Sequence, residues 1–184
     1  MTFSANFTLT TLPSSPSDTD QASLDLRAGV YNAGLLTILG DSLGGEASRP
    51  WQWLLGRDAR ALASTSFGDL FFWSGRMEAV YFLEVERGTT TFVDKEVSYV
   101  FNDFLNIPEI QDRVLHRTKA TLVIERCGAL AYGQCYIGVP LPSLGGSGDA
   151  STYQPGMLGA YLSLVAQEAR RRLDASRTGS QSVR

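Results

Sequence analysis

The sequence predicts an α+β fold in which an antiparallel β meander packs against several α-helices. Three short runs rich in aromatic and β-branched residues, at 69–73, 79–85 and 89–93, are separated by glycine-containing turns. This spacing is typical of consecutive antiparallel strands. The meander is followed by one apolar stripe at helical spacing, formed by Val97, Val100, Phe101, Phe104 and Leu105. Strands followed by an amphipathic helix indicate a sheet with helices packed on it.

The region before the meander carries weaker signals. Residues 1–20 are rich in Ser, Thr and Pro and lack helical periodicity, so we expect a flexible, extended or disordered arm. Its apolar residues leave open a strand that docks on the core, namely Phe3, Phe7, Leu9 and Leu12. From Leu24 the apolar spacing predicts a helix that ends near Gly40 or at 44–45. Residues 51–55 are interpreted as a short aromatic strand and 58–63 as a brief helix.

After the meander the sequence is predominantly helical. Pro108 opens a helical stretch that is predicted to bend near 116–120 and to stop at Gly128. A final helix is indicated by the spacing of Leu158, Tyr161, Leu162, Val165 and Ala169. Residues 171–184 are predicted to be a basic disordered tail. The predicted organisation is therefore one domain over 21–170, between a flexible arm and a basic tail.

Composition and charge favour a protein-binding role over a nucleic-acid-binding one. A chain of 184 residues suits one domain, and two cysteines without repeated spacing do not indicate a secreted disulfide framework. No signal peptide or membrane-spanning run is evident, so we expect a cytoplasmic protein. The net charge is −3, and because residues 170–184 contribute +4, residues 1–169 carry −7. An acidic body repels nucleic acid and attracts basic proteins. Mild acidity that serves solubility alone is the simpler alternative.

Residues for catalysis or metal binding are few. The chain has one histidine, so a Cys-dependent hydrolase would have to combine Cys135 or Cys127 with His116 and a carboxylate such as Asp112. We expect both cysteines to be structural. Two cysteines and one histidine without CxxC or HxxxH spacing do not predict a metal site. The glycine cluster at 145–148 lacks the Lys-Ser/Thr of a phosphate-binding loop, so no cofactor and no enzyme activity are predicted.

The most constrained segment of the sequence is 127–146, CGALAYGQCYIGVPLPSLGG. Its prolines and paired glycines predict a strand that leads into a rigidly shaped loop. Together with the FGDLFFW run at 67–73 and the amphipathic run at 157–169, its order resembles the GAD-like domain family over about 66–169. One departure is that Gln134 and Cys135 stand where such proteins often carry a glutamate. Val139 stands where they frequently have an aromatic residue.

The resemblance implies a function. The best-known members of that family are C-terminal domains of type VI secretion immunity proteins, which protect bacteria from nuclease toxins. By this resemblance we expect a non-enzymatic binder that neutralises a cognate toxin, a DNase encoded beside it, with no direct contact to nucleic acid or membrane. The candidate partner-binding residues are Glu78, Glu84, Glu86, Asp94 and Glu96. Two alternatives stay open: the Cys/His hydrolase, and a regulatory domain that holds a small ligand against the 136–146 loop.

Overall fold

The computed structural model describes residues 2–14, 20–21 and 26–179, whose strands centre on one seven-stranded antiparallel sheet. The strands in chain order are β1 (Leu9–Thr11), β2 (Asp20–Gln21), β3 (Leu26–Arg27), β4 (Gly29–Tyr31), β5 (Leu36–Ile38), β6 (Ala59–Thr65), β7 (Leu70–Ser74), β8 (Ala79–Glu84), β9 (Thr89–Asp94), β10 (Gln134–Gly138) and β11 (Tyr153–Met157). The order in the large sheet is β1-β4-β5-β6-β7-β8-β9, while β2 pairs with β3 and β10 with β11.

Helices cover both faces of this sheet. They are α1 (Asp41–Ser48), α2 (Gln52–Leu55), α3 (Val97–Asn102), α4 (Pro108–Arg113), α5 (Arg117–Cys127) and α6 (Leu158–Gly179). The predicted α+β class, with an antiparallel meander under helices, is confirmed. None of the helices in the described ranges combines the length and apolar character needed to cross a bilayer.

Strand β7 shows how one sheet serves two hydrophobic cores. Phe71 points into a core formed with α3, α5 and the N-terminal residues, whereas Leu70 and Phe72 point into a second core with α6. Side chains alternate between the faces of a strand, so an uninterrupted apolar run such as Leu70–Trp73 is buried from both sides. Full burial of one such side chain contributes about 1.5–3 kcal/mol. These two cores hold the ends of the strands, and the turns between them, in fixed positions.

The predictions for 26–63 are wrong in element type, and the first two residues of the predicted helix, 24–25, lie outside the described residues. Residues 26–38 form β3, β4 and β5 instead of a helix, the helix α1 begins where the predicted one was to end, and 52–55 is the short helix α2. The predicted helix at 58–63 is strand β6. Strand β6 has a helix packed closely on it: a Cβ on Gly44 of α1 would stand 2.4 Å from the carbonyl oxygen of Ala61. Packing therefore overrides the helix propensity of alanine here.

The two ends of the chain are more ordered than the sequence suggests. Phe3 and Phe7 are buried and their rings stack 4.6 Å apart, and β1 pairs with β4. Residues 2–14 therefore dock on the core and include strand β1, and they do not form the disordered arm that the sequence predicts. At the other end α6 continues through residues 171–179, for which a disordered tail was predicted. The remaining predicted arm and tail positions at 1, 15–19 and 180–184 lie outside the described residues.

The helical region between the meander and β10 follows the prediction with two breaks. The apolar stripe that starts at Val97 is helical only to Asn102 and continues as a short 3-10 turn. The predicted bend is a complete interruption between α4 and α5 at His116, whose φ of 50° is left-handed. The stop at Gly128 is confirmed, with a φ of 84°.

Candidate functional site

The β6–β7 and β8–β9 turns lie at the same end of the sheet, and a cavity of about 280 Å³ opens between them. We call it the acidic cavity. Five further parts of the chain complete its wall: the start of α5, the loop after β10, β11, α6 and the last residue of β8. Its lining residues are Phe67, Asp69, Glu84, Glu86, Arg87, His116, Lys119, Pro142, Tyr153 and Tyr161. All three segments that carry the family resemblance therefore contribute side chains to one cavity.

Asp69 is the most unusual side chain of the cavity. It is only 9% exposed, and one carboxylate oxygen, Oδ1, accepts a hydrogen bond from the backbone N–H of Val85 at 2.9 Å. Across the described ranges its second oxygen has no hydrogen-bond partner. Burial raises the pKa of Asp69 to about 7, the Val85 N–H lowers it, and the charges of Glu84 and Glu86 raise it further. Asp69 is therefore a buried carboxyl group that is half satisfied and titrates near neutral pH.

Glu86 is fixed in position by two other parts of the chain. Its Oε1 accepts from the hydroxyl of Tyr161 at 2.9 Å, and its Oε2 accepts from the backbone N–H of Ser143 at 3.1 Å. Tyr161 is 4% exposed, and burial and the neighbouring Glu86 raise the pKa of its phenol. The phenol therefore stays protonated and donates to the carboxylate. Both oxygens of Glu86 are thus held toward the cavity by α6 and by the loop after β10.

Glu84 lies at the rim of the acidic cavity. Its Oε1 pairs with Nη1 of Arg87 at 3.0 Å, and its Oε2 accepts from the hydroxyl of Thr89 at 3.2 Å. The Arg87 side chain is 73% exposed, so this pair is a surface ion pair that contributes little to stability. It does, however, leave the charge of Arg87 balanced within the rim itself.

Aromatic rings form the wall beside the carboxylates. The ammonium nitrogen of Lys119 lies 4.7 Å from the ring centroid of Phe67 and 4.2 Å from that of Tyr153. It also donates to the hydroxyl of Tyr153 at 2.8 Å. Such stacking of a cation on ring faces is favourable and leaves the positive charge of Lys119 in the wall. Burial and the charge of Lys119 lower the pKa of His116 in the same wall.

A tight turn places Asp69 in the cavity. The hydroxyl of Thr65 accepts hydrogen bonds from the backbone N–H groups of Phe67 and Asp69, and Gly68 adopts a φ of +85°. A Cβ at Gly68 would stand 2.7 Å from Cε1 of Tyr161. Only glycine satisfies both the left-handed backbone and this close approach. The turn is also joined to β10, because the N–H of Tyr136 donates to the carbonyl of Ser66.

The five predicted partner-binding residues fall into two groups. Glu84 and Glu86 lie at the cavity end of β8. Glu78, Asp94 and Glu96 lie near the opposite end, since Asp94 is paired with Val80 in β8. Four residues of strand, about 13 Å at 3.3 Å per residue, separate Val80 from Glu84. The five residues therefore do not form one acidic surface.

Sequence reasoning missed Asp69, Lys119 and Tyr161 as site residues. Asp69 was interpreted as the first residue of a strand, and Tyr161 as part of the apolar stripe of the last helix. One signal was present in the sequence: Asp69 stands directly between a turn glycine and an apolar strand. Aspartate is rarely buried, so its position at the start of a buried strand is unusual.

The structure does not assemble the Cys/His/Asp arrangement that a hydrolase would require. Cys135 is fully buried, and burial and the nearby Asp69 raise the pKa of its thiol. His116 lines the cavity, but within the described ranges no hydrogen bond joins it to Cys135 or to Asp112. Asp112 instead accepts from Thr118 at 3.1 Å. In the part of the chain that the structure describes, no cluster of three or more His, Cys, Asp or Glu side chains is placed to hold a metal ion.

We expect Cys135 to be unreactive in the native protein. In the variant Cys127→Ser, the remaining thiol should react with a disulfide reagent at pH 8 roughly 100-fold more slowly than in the unfolded chain, because only an exposed thiolate attacks. The reaction is followed by absorbance with and without denaturant, and Cys135→Ser serves as the matched control. Fast native labelling of Cys135 would contradict this account and favour the hydrolase alternative.

Comparison with known proteins adds a fold relationship to this geometry. No family model matches the chain, and no curated protein does. The chain is similar to the crystal structure of Atu4351 from Agrobacterium tumefaciens. The TM-score is 0.59 at 16% sequence identity, and the match covers 89% of this chain and 86% of that one. At this level of identity the similarity shows the fold, which therefore also occurs in a protein solved by crystallography.

Proposed function

We propose that this protein is an immunity protein that binds a cognate type VI secretion toxin, a DNase, and neutralises it by covering its active or DNA-binding site. The resemblance to the GAD-like family motivates the proposal. One structural observation supports it: the acidic cavity lies next to a groove lined by aromatic side chains, and Glu84 lines both.

The groove lies beside the edge strand β9 and has a volume of about 360 Å³. We call it the aromatic groove; it is lined by Phe82, Phe92, Phe104, Ile110 and Val114, among others. Phe92 is 53% exposed. Protein interfaces obtain most of their affinity from a few aromatic anchors that become desolvated, and charges beside them steer association and select partners. The groove and the cavity together offer both elements on one surface.

Charge complementarity determines the kind of partner that this surface fits. A DNA-cleaving toxin must carry a basic cleft, because its substrate is a polyanion. Residues 1–169 of this chain carry a net charge of −7. The acidic cavity then faces the cleft where DNA phosphates would otherwise lie. In this mechanism neutralisation is stoichiometric and no bond is made or broken.

The test is charge reversal at the cavity. Glu84→Lys combined with Glu86→Lys should slow association with the toxin encoded by the neighbouring gene about tenfold or more, and should abolish protection in co-expression. Glu46→Lys with Glu125→Lys makes the same change of charge at two exposed positions outside the cavity and groove, and should leave both unchanged. Association is measured by surface plasmon resonance, and folding of each variant by thermal denaturation.

Two results would contradict the proposal. One is failure of the neighbouring gene product to co-purify with this protein. The other is an equal effect of the two double variants, which would mean that only total charge matters. A third pair of substitutions, Glu78→Lys with Glu96→Lys, tests whether the opposite end of β8 and β9 contributes to association with the toxin.

A further inference from the structure

The acidic cavity contains an acceptor that the protein itself leaves unused. The second oxygen of Asp69 is not hydrogen-bonded to any described residue, although the side chain is more than nine-tenths buried. The side-chain atoms of the described ranges that are both fully buried and unpaired do not include this oxygen, so it keeps access to the open space of the cavity that Asp69 lines. A carboxylate oxygen that faces a cavity of about 280 Å³ can accept hydrogen bonds from a donor outside the chain.

The charges of the cavity select a cationic donor. The two protein cations in the wall already have contacts of their own: Arg87 pairs with Glu84, and Lys119 lies on two ring faces and donates to the hydroxyl of Tyr153. Asp69 has no such counter-charge bonded to it, and Glu86 is held in the same cavity by neutral donors. With Asp69 ionised, three carboxylates (Asp69, Glu84 and Glu86) stand against two cations (Arg87 and Lys119), so the lining carries a net charge of −1.

The shape of the cavity favours a small group with several N–H donors. The aromatic wall accepts the flat face or the alkyl stem of a ligand, and Lys119 shows that these rings accommodate a cation. A guanidinium group presents donors in a planar fork that matches a carboxylate, and an ammonium group presents three donors.

We propose that the acidic cavity binds a guanidinium or ammonium group, which donates hydrogen bonds to the free oxygen of Asp69 and lies beside Glu86. The group belongs either to a small cationic metabolite or to an arginine or lysine side chain of a protein partner. The second source rests on the proposed function, and the first does not.

Binding of agmatine, which carries a guanidinium and an ammonium group, tests the proposal directly. Isothermal titration of the purified full-length chain should show saturable binding of one equivalent, about tenfold tighter at pH 8 than at pH 6. The reason is that Asp69, with a pKa of about 7, is mostly protonated at the lower pH. Asp69→Asn should weaken binding at least about tenfold at pH 8 and remove the pH dependence. Glu46→Gln, a change on α1 outside the cavity, should have no effect.

Other titratable groups around Asp69 could also make agmatine binding depend on pH, so their effect must be distinguished from that of Asp69. The charged ones are Glu84, Glu86, Arg87 and Lys119, and the neutral titratable ones are His116, Cys135, Tyr153 and Tyr161. Of these, His116 has an ordinary pKa of 6.5, which lies within the range used, and burial and the charge of Lys119 lower it. His116→Gln should therefore keep the tenfold difference between pH 6 and pH 8, and its loss in that variant would assign the effect to His116 and overturn the role of Asp69.

The experiment distinguishes the two sources and the two proposals. Saturable agmatine binding that Asp69→Asn weakens supports the cavity as a site for a free small molecule, whether or not a toxin binds. If agmatine does not bind but Asp69→Asn weakens toxin binding tenfold, the cation is a side chain of the partner. If neither is observed, this inference is overturned, while the proposed function still stands or falls by co-purification.

Discussion

Replacing Asp69 by asparagine should stabilise the protein by about 2–4 kcal/mol at pH 8. The pKa of this carboxyl is about 7 in the folded protein, against 3.8 for the ordinary group, and each unit corresponds to 1.36 kcal/mol. Because the folded pKa is raised, the folded state binds more protons than the unfolded state between about pH 4 and pH 7. The stability of the wild type therefore falls as the pH rises through this range. The free-energy cost of burying the ionised Asp69 carboxylate is fully present above pH 7.

Asparagine removes the charge and keeps the acceptor for the N–H of Val85. The advantage of Asp69→Asn should consequently shrink to less than about 2 kcal/mol at pH 5, where the wild-type carboxyl is already protonated in the folded state. Urea denaturation at pH 8 and pH 5 measures both values. Asp149→Asn changes an exposed aspartate in the loop before β11 and should alter stability by less than about 0.5 kcal/mol. A variant of Asp69 that is less stable than the wild type at pH 8 would contradict this account.

Gly68→Ala should cost about 2–5 kcal/mol of stability. A left-handed residue with a side chain costs about 1–2 kcal/mol, and overpacking costs a further 1–3 kcal/mol. At Gly68 the backbone φ is +85°, and the new Cβ would meet ring carbons of Tyr161 at 2.7 and 2.9 Å. That ring is buried between the turn and α6 and has little room to move.

Gly145→Ala is the matched control for this prediction. Gly145 has a φ of +90°, but a Cβ there would have nothing within 4 Å. It should therefore show only the backbone cost of about 1–2 kcal/mol. Chemical denaturation of the two variants separates the packing of Tyr161 from the conformation of the backbone. Equal destabilisation of the two would mean that the turn does not pack on α6 as described.

The meander and the helices around it could be predicted because their signals are local. Strands β7 and β8 are apolar runs that are largely buried on both faces, and the stripe that starts at Val97 has helical spacing. Strands β4 and β5 were missed because each has three residues, which is too short to show a period of two. Strand β6 was missed because its alanines have high helix propensity, while its strand conformation depends on pairing with β5 and β7.

The candidate site was only partly predictable for the same reason. Glu84 and Glu86 could be proposed from charge alone. The role of Asp69 depends on Val85 and Tyr161, which lie 16 and 92 positions away along the chain. Only the folded chain brings these groups together, so local sequence patterns do not indicate that they share one cavity.

The central claim is that Asp69 is a buried, half-satisfied carboxyl group that is open to an external cation. Carbon-13 NMR titration of its carboxyl carbon, assigned by comparison with Asp69→Asn, measures the group itself. We predict a pKa near 7 in the free protein and a lower pKa when agmatine is bound, because a cation favours the ionised form. An ordinary aspartate pKa near 4 in the free protein, or an unchanged pKa once agmatine is bound, would contradict the claim.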